Sequence, residues 1–346
     1  MRKHTLVGVD VAKTVLEVAI SQSPGRVSQR KRLTRTQFLA FCAKQRDATF
    51  LLEACSSAHH WGRELNAMGH QALLLPPHAV RPYVLRNKTD STDAKALLEA
   101  YRNEEILPVP IKSVEQHAIA ALHRLRSAWI GERTARINTM RGILRELGLI
   151  IPVGARQVVP KVLEFIHEDN SKIPGIVRPT LEESCDEIHE LERKARSVEH
   201  ELALYARTND LVRRIGSVPG IGLLSATALV AFVGSVQRFK TGRHFASYLG
   251  LTPREWSSGS RRTLGGISKR GDVYLRMLLI HGARAVLVSA KKMHRPDPLR
   301  SWALRVEARR GHNKATVALA NKIARIVWAV WRHQCDYATA PKATRS

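Results

Sequence analysis

The chain has 346 residues, 44% hydrophobic and 25% charged, which is the composition of a folded protein with at least one real core. Its 56 Lys and Arg against 30 Asp and Glu give a formal net charge of +26, which points to a nucleic-acid partner; no single amphipathic helix concentrates that charge as a membrane-surface protein would. Four dispersed cysteines (Cys42, Cys55, Cys185, Cys335) without CxxC spacing argue against structural zinc or a disulfide framework and suit a reducing cytoplasm.

Residues 5–13 and 15–21 alternate or run apolar with Val and Ile and read as a strand hairpin. The chain runs straight into that pattern, so no signal peptide is expected. Arg26 to Leu33 reads as a third strand, Thr36 to Gln45 as a short helix, and Ala48 to Cys55 as a buried strand. Ala58 to Met68 reads as a helix stopped by Gly69, and Gln71 to Leu75 as a fifth strand stopped by Pro76-Pro77. Three strands, helix, strand, helix, strand is a ribonuclease-H-like order, with the first strand central and the fourth beside it in parallel.

A helix over Ser91–Tyr101 is broken by Pro108-Val109-Pro110. Val114 to Leu147 is one long helical pattern, rich in Arg on its polar side. Residues 150–180, with four Pro and little periodicity, read as a linker or irregular hairpin. The seam Leu181, Ser184, Ile188, Leu191, Ala195, Val198, Leu202, Tyr205 alternates spacings of three and four, as in a coiled coil. It suits either a helical hairpin packed on 114–147 or a dimer contact. The longest apolar run, Leu223 to Gly234, is too short to span a bilayer, and no membrane partner is expected. Residues 251–332 hold 18 Lys and Arg against 4 Asp and Glu, so about half the net charge sits in the last domain.

The acids are the most telling residues. Asp10 interrupts the apolar run Val7-Gly8-Val9-Asp10-Val11, and Glu53 ends Phe50-Leu51-Leu52-Glu53. An acid in such a strand is expensive to bury unless it is paired or binds a metal. Neighbouring parallel strands can set Asp10 and Glu53 side by side. Asp90 and Asp93 are three apart at a helix start and share a face. Alone, that pair reads as an N-cap and a capping-box acid. The four together suit divalent cations, with hard oxygen ligands, assisting phosphodiester chemistry.

Val218-Pro219-Gly220-Ile221-Gly222 lies between two apolar helices. It matches a helix-hairpin-helix turn that could approach a phosphate, or an ordinary helical turn. The stretch Arg254-Glu255-Trp256-Ser257-Ser258-Gly259-Ser260-Arg261-Arg262, continuing to Lys269, Arg270 and Arg276, reads as a mobile loop of Ser and Gly among cations. Its serines are either nucleophiles or plain loop formers. Trp256 could stack on a base or anchor the loop. His59 and His60, adjacent on a helix, diverge and are poor co-ligands, so they read as surface or nucleic-acid contacts.

These motifs together resemble the DEDD transposases of insertion sequences, whose relatives include pilin-gene inversion recombinases and bridge-RNA-guided recombinases. The resemblance rests on Gly8-Val9-Asp10-Val11-Ala12-Lys13, Glu53-Ala54-Cys55, Arg86-Asn87-Lys88-Thr89-Asp90-Ser91-Thr92-Asp93-Ala94 and Val218-Pro219-Gly220-Ile221-Gly222. Phe245-Ala246-Ser247-Tyr248-Leu249-Gly250-Leu251-Thr252-Pro253 and Ser257-Ser258-Gly259 complete it, so it covers nearly the whole chain.

The resemblance implies a mixed α/β and all-α chain: a RuvC-like DEDD domain over 1–110, a helical coiled-coil segment over 111–210, and a small helical transposase domain over 211–346. It implies Mg²⁺ on Asp10, Glu53, Asp90 and Asp93, and Ser258 as the nucleophile of a phosphoserine link, with Ser257 second. It further implies an active site composed from two protomers, hence a homodimer or homotetramer on donor and target DNA duplexes chosen by a structured noncoding RNA, in the prokaryotic cytoplasm at the nucleoid. Nucleic-acid contacts are expected at Lys88, Gly220, Gly222, Arg254, Arg261, Arg262, Lys269, Arg270 and Arg276, with RNA also on the 114–147 helix. The competing readings are a hydrolytic nuclease or junction resolvase using water, a transposase in which a DNA 3′-hydroxyl attacks, and a nucleic-acid-binding protein without catalysis.

Overall fold

β1 (Thr5–Val11) is the central strand of a five-stranded sheet in the computed structural model, which describes residues 5–23, 26–46, 48–84, 90–259 and 261–337. It pairs antiparallel with β2 (Val15–Ser21), which pairs antiparallel with β3 (Gln29–Thr34). The chain then forms α1 (Arg35–Ala43), β4 (Ala48–Glu53), α2 (Ala58–Ala67) and β5 (Gln71–Leu75). β4 runs parallel to β1 and β5 parallel to β4, giving the order β3-β2-β1-β4-β5. This is the expected strand order, and α2 is the crossover that a parallel β4–β5 pair requires. A capping box starts α1: Gln37 N donates to Thr34 Oγ1 at 3.3 Å, and Thr34 N donates to Gln37 Oε1 at 2.9 Å.

Side-chain alternation splits the sheet into two buried faces. Val7, Val9, Phe50 and Leu52 pack with Phe38 of α1 and with Trp61 and Leu65 of α2. Leu51 and Leu75 face the other way. After the short α3 (Pro77–Val80), α4 (Asp90–Tyr101) covers them with Ala94, Leu97 and Leu98. Each such fully buried large side chain contributes about 1.5–3 kcal/mol. This unit takes the described residues up to Glu115, together with Val233–Arg238.

The second unit takes residues 116–232 and the described residues from 239 onward. Its first part is α5 (Val114–Glu146), α6 (Val158–His167) and α7 (Arg178–Thr208). α6 corrects the expectation of a linker over 150–180. Pro160 falls in its first turn, where a missing N–H breaks no helical bond, and Val158, Val159, Val162, Phe165 and Ile166 are buried. The α7 seam packs on α5 of the same chain, as Ile137, Met140 and Leu144 meet Leu181, Cys185 and Ile188. Cys185, not Ser184, takes the buried position. Ion pairs Arg126–Glu199, Arg133–Glu192 and Arg136–Glu187 run in opposite senses along the two helices, which are therefore antiparallel.

The last part is α8 (Asp210–Gly216), α9 (Leu223–Val233), α10 (Gly242–Tyr248), the hairpin β6 (Pro253–Ser258) and β7 (Arg261–Ile267), then α11 (Val273–Ala290), α12 (Pro298–Arg310) and α13 (His312–His333). By length and composition alone α11 is long and apolar enough to cross a membrane, a length of apolar chain not picked out from the sequence. Its Leu275, Leu279, Ala283, Val286 and Leu287 are buried, as in a core helix. A buried polar anchor joins α5, α9 and α11: His123 contacts Tyr274 Oη and Thr227 Oγ1, each at 3.0 Å. Burial, and secondarily Arg126, lowers the His123 pKa to about 4, so the ring is neutral at pH 7.

Candidate active site

Asp10 and Glu53 each lie one residue beyond the parallel pair Val9–Leu52, so they are neighbours at the ends of β1 and β4. Such strands are about 4.8 Å apart. Alternation puts Asp10 on the face of Gly8, and Glu53 on the face of Leu51, which is the side covered by α4. Cys55 reports their convergence, since its thiol pKa is raised by burial first, then by Glu53 and by Asp10.

α4 brings Asp93 to this face. Asp90 is its first residue and Asp93 lies in its first turn. Asp93 Oδ1 is buried and has no hydrogen-bond partner among the described residues. A buried carboxylate oxygen without a donor is costly. A hard divalent cation would satisfy it, and the oxygen-only set of Asp10, Glu53 and Asp93 suits one. No three His, Cys, Asp or Glu side chains among the described residues already stand as a closed ligand cage. Lys88 and the Asp90 side chain lie outside the described residues.

Gly8 sets how closely α4 approaches, because a Cβ there would stand 2.2 Å from the Ala94 carbonyl oxygen, one residue after Asp93. Gly8→Ala is expected to push α4 off the sheet and to cost about 1–3 kcal/mol by denaturant unfolding. An unchanged unfolding midpoint would show that β1 and α4 do not need this contact.

The serine stretch is a two-stranded hairpin, which corrects the mobile loop expected from its Ser and Gly. Ser257 pairs with Arg262 and Ser258 with Arg261 across the turn, where Gly259 adopts φ +57°. Every residue of β6 is exposed, so no apolar period marked it. The usable signal was a two-residue Gly-Ser connection. The hairpin is held by its own side chains. Arg262 Nε and Nη2 donate to the Glu255 carboxylate at 2.9 and 3.1 Å. Trp256, still 60% exposed, lies so close to Gly265 that a Cβ there would stand 2.5 Å from its ring, so it braces the hairpin.

The two serines differ. Ser257 Oγ donates to Glu255 Oε1 at 2.7 Å. Among the described residues, the exposed Ser258 hydroxyl has no hydrogen-bond partner. Arg262 first, and Ser257 second, hold Glu255 below the usual carboxylate pKa, so that acid stays ionised and keeps its grip on Ser257.

Among the expected nucleic-acid contacts, Arg254, Arg261, Arg262, Lys269 and Arg270 are exposed around this hairpin. Arg276 is not: it is buried, and Nη1 donates to the Gly271 carbonyl at 3.0 Å, tying the chain before α11. Its place in a run of cations hid a packing role that only tertiary contacts reveal. Gly220 (φ +85°) lies against α11, where a Cβ on Gly282 would stand 1.9 Å from the Gly220 oxygen, whereas the Cβ position of Gly222 is open. The α5 surface expected to meet RNA is partly committed within the chain. Arg126, Arg133 and Arg136 pair with α7 acids, and Arg141 Nη1 donates to the Ile151 carbonyl at 3.0 Å, leaving Arg124 and Arg145 exposed. His59 Nδ1 accepts from Lys112 N at 3.2 Å, and exposed His60 lies 3.8 Å from Glu64. Sequence reasoning missed Gly8, Cys55 and Glu255, whose roles appear only through contacts.

Comparison with known proteins adds an independent line. A family model described as Transposase IS116/IS110/IS902 family matches residues 212–296, and a DEDD model described as Transposase matches residues 7–148. The chain is 40% identical to a "Probable family 20 transposase" of Pseudomonas aeruginosa, over 96% of this chain and 98% of that protein. It is 36% identical to the transposase for insertion sequence element IS1111A of Coxiella burnetii, over 97% of this chain and 92% of that one. It is also 34% identical to the transposase for insertion sequence element IS1328 of Yersinia enterocolitica, over 95% and 97%.

Proposed function

Because the chain belongs to the IS116/IS110/IS902 family of insertion-sequence transposases, we propose that it exchanges DNA strands through a covalent link to Ser258, assisted by Mg²⁺ held on Asp10, Glu53, Asp90 and Asp93. The observation that carries this reading is the Ser258 hydroxyl, without a hydrogen-bond partner among the described residues, at a cation-rimmed hairpin tip beside a Ser257 already committed to Glu255.

In the step, Ser258 Oγ bonds to the scissile phosphorus as the bond to a deoxyribose oxygen breaks. The proton lost by the hydroxyl balances the one gained by the departing oxygen. The phosphodiester energy is kept in the phosphoserine, so a hydroxyl of another strand can reverse the step and rejoin DNA. The exposed Arg254, Arg261 and Arg270 would neutralise the phosphate, and bound Mg²⁺ would supply charge stabilisation at the acid cluster. The acids belong to the first unit and Ser258 to the second, which is compatible with a site composed from two protomers of a dimer or tetramer. Recognition of a structured guide RNA rests on the net charge of +26 and on exposed cations such as Arg124 and Arg145.

The test is to incubate the full chain with its element's end DNA, flanking RNA and Mg²⁺, denature, and digest with trypsin. A nucleotide adduct on the peptide Glu255–Arg261 is expected. Cleavage without any protein-linked DNA would overturn the serine mechanism in favour of attack by water.

A further inference from the structure

α13 presents one face to a long groove that no step above uses. A cavity of about 1020 Å³ lies between β7, Trp302 of α12 and the first half of α13. A second, of about 480 Å³, shares Lys322 and Arg325 with it and continues to Trp328 and Arg243. The face from Asn313 to Ala329 is about 24 Å long at the helical rise.

Its chemistry is that of a polyanion track. Among the described residues, Lys314, Lys322 and Arg325 have no ion-pair partner, whereas Lys291 pairs with Glu307 at 2.8 Å. Lys322 Nζ sits 4.1 Å from the Trp302 ring centroid, which holds the ammonium in the groove. Its pKa is lowered by burial first, then by Arg325 and Arg305. Like charges crowded without an acid are relieved by a bound anion. The floor is apolar, formed by Leu251, Leu264, Ile267 and Val317. The half-buried Trp302 and Trp328 mark its two parts, and Trp328 is fixed by Nε1 donating to the Phe239 carbonyl at 3.2 Å.

A duplex would offer phosphates but keep its base faces stacked, leaving the apolar floor and the indoles unused. A separated strand uses all three features: phosphates on the cations, bases and sugars on the floor and rings. The groove wall is also the strand that leaves the serine turn. Leu264 is three residues from Arg261, about 10 Å along β7. Resting on the strand-exchange reading above, we infer that this groove binds the single-stranded DNA that adjoins the phosphate attacked by Ser258.

The experiment measures fluorescence anisotropy of the full chain with a labelled thymidine 10-mer and, separately, a 20-base-pair duplex, across a salt series. Lys322→Gln with Arg325→Gln should weaken 10-mer binding about tenfold or more. It should also reduce the slope of log affinity against log salt by about 1.4, two lost phosphates at about 0.7 each. Duplex affinity should stay within about twofold. Lys314→Gln, at an exposed position that cannot unfold the chain, should lower the slope by about half as much. Unchanged 10-mer affinity and slope, or an equal loss on duplex, overturns the inference. Groove binding without any Ser258 adduct would sink the strand-exchange reading alone. An adduct without single-strand preference would sink this inference alone.

Discussion

Ser258→Ala is expected to abolish the covalent protein–DNA adduct, by at least about 10³-fold, because no other group replaces an absent nucleophile. Ser257→Ala should keep the adduct within about threefold, since the Ser257 hydroxyl is already spent on Glu255. Both positions are exposed on β6, so neither change should move stability by more than about 0.5 kcal/mol, and a lost adduct can be read as lost chemistry. The assay is a denaturing gel of labelled DNA with each variant. An adduct that survives Ser258→Ala but vanishes in Ser257→Ala would exchange the two assignments.

Asp10→Asn and Asp93→Asn should each lower DNA cleavage by about 10²–10³-fold, the rate equivalent of a few kcal/mol of charge stabilisation, with DNA binding retained. Stability should respond differently from activity. Asp93 Oδ1 is a buried acceptor without a donor among the described residues, so removing its charge relieves an uncompensated cost. Without divalent ions, the melting temperature of Asp93→Asn should equal or exceed that of the native chain. Adding millimolar Mg²⁺ should raise the native value more than that of the variant. A variant that melts lower and still cleaves would make Asp93 a structural acid.

The hairpin and the groove show where legibility stopped. Most of the sheet of the first unit was readable because β1, β2, β4 and β5 are apolar or alternating, and because glycine and proline punctuate it: Gly69 follows α2, and Pro76-Pro77 ends β5. Burial drives those strands, and burial leaves a period in the sequence. β6 buries nothing, and its order comes from a carboxylate–guanidinium pair and a tryptophan lying on a glycine, neither of which has a period. α6 was hidden by a proline whose position in the first turn makes it harmless. Arg276 and Arg141 illustrate the same limit for charge, since a cation that ties carbonyls looks, in a linear chain, like one that meets phosphate.

By itself the sequence determined that an acid sits inside the central strand, that another ends its parallel neighbour, and that a serine pair lies among cations far downstream. Local pattern suffices there, because residue type and spacing set strand, helix and charge. Only the tertiary structure decided that Gly8 lets α4 bring Asp93 to the sheet, that Glu255 takes Ser257, and that cations and indoles line a groove along α13. Those outcomes depend on contacts between distant residues, and on which polar atoms are left without partners once the apolar surfaces have closed.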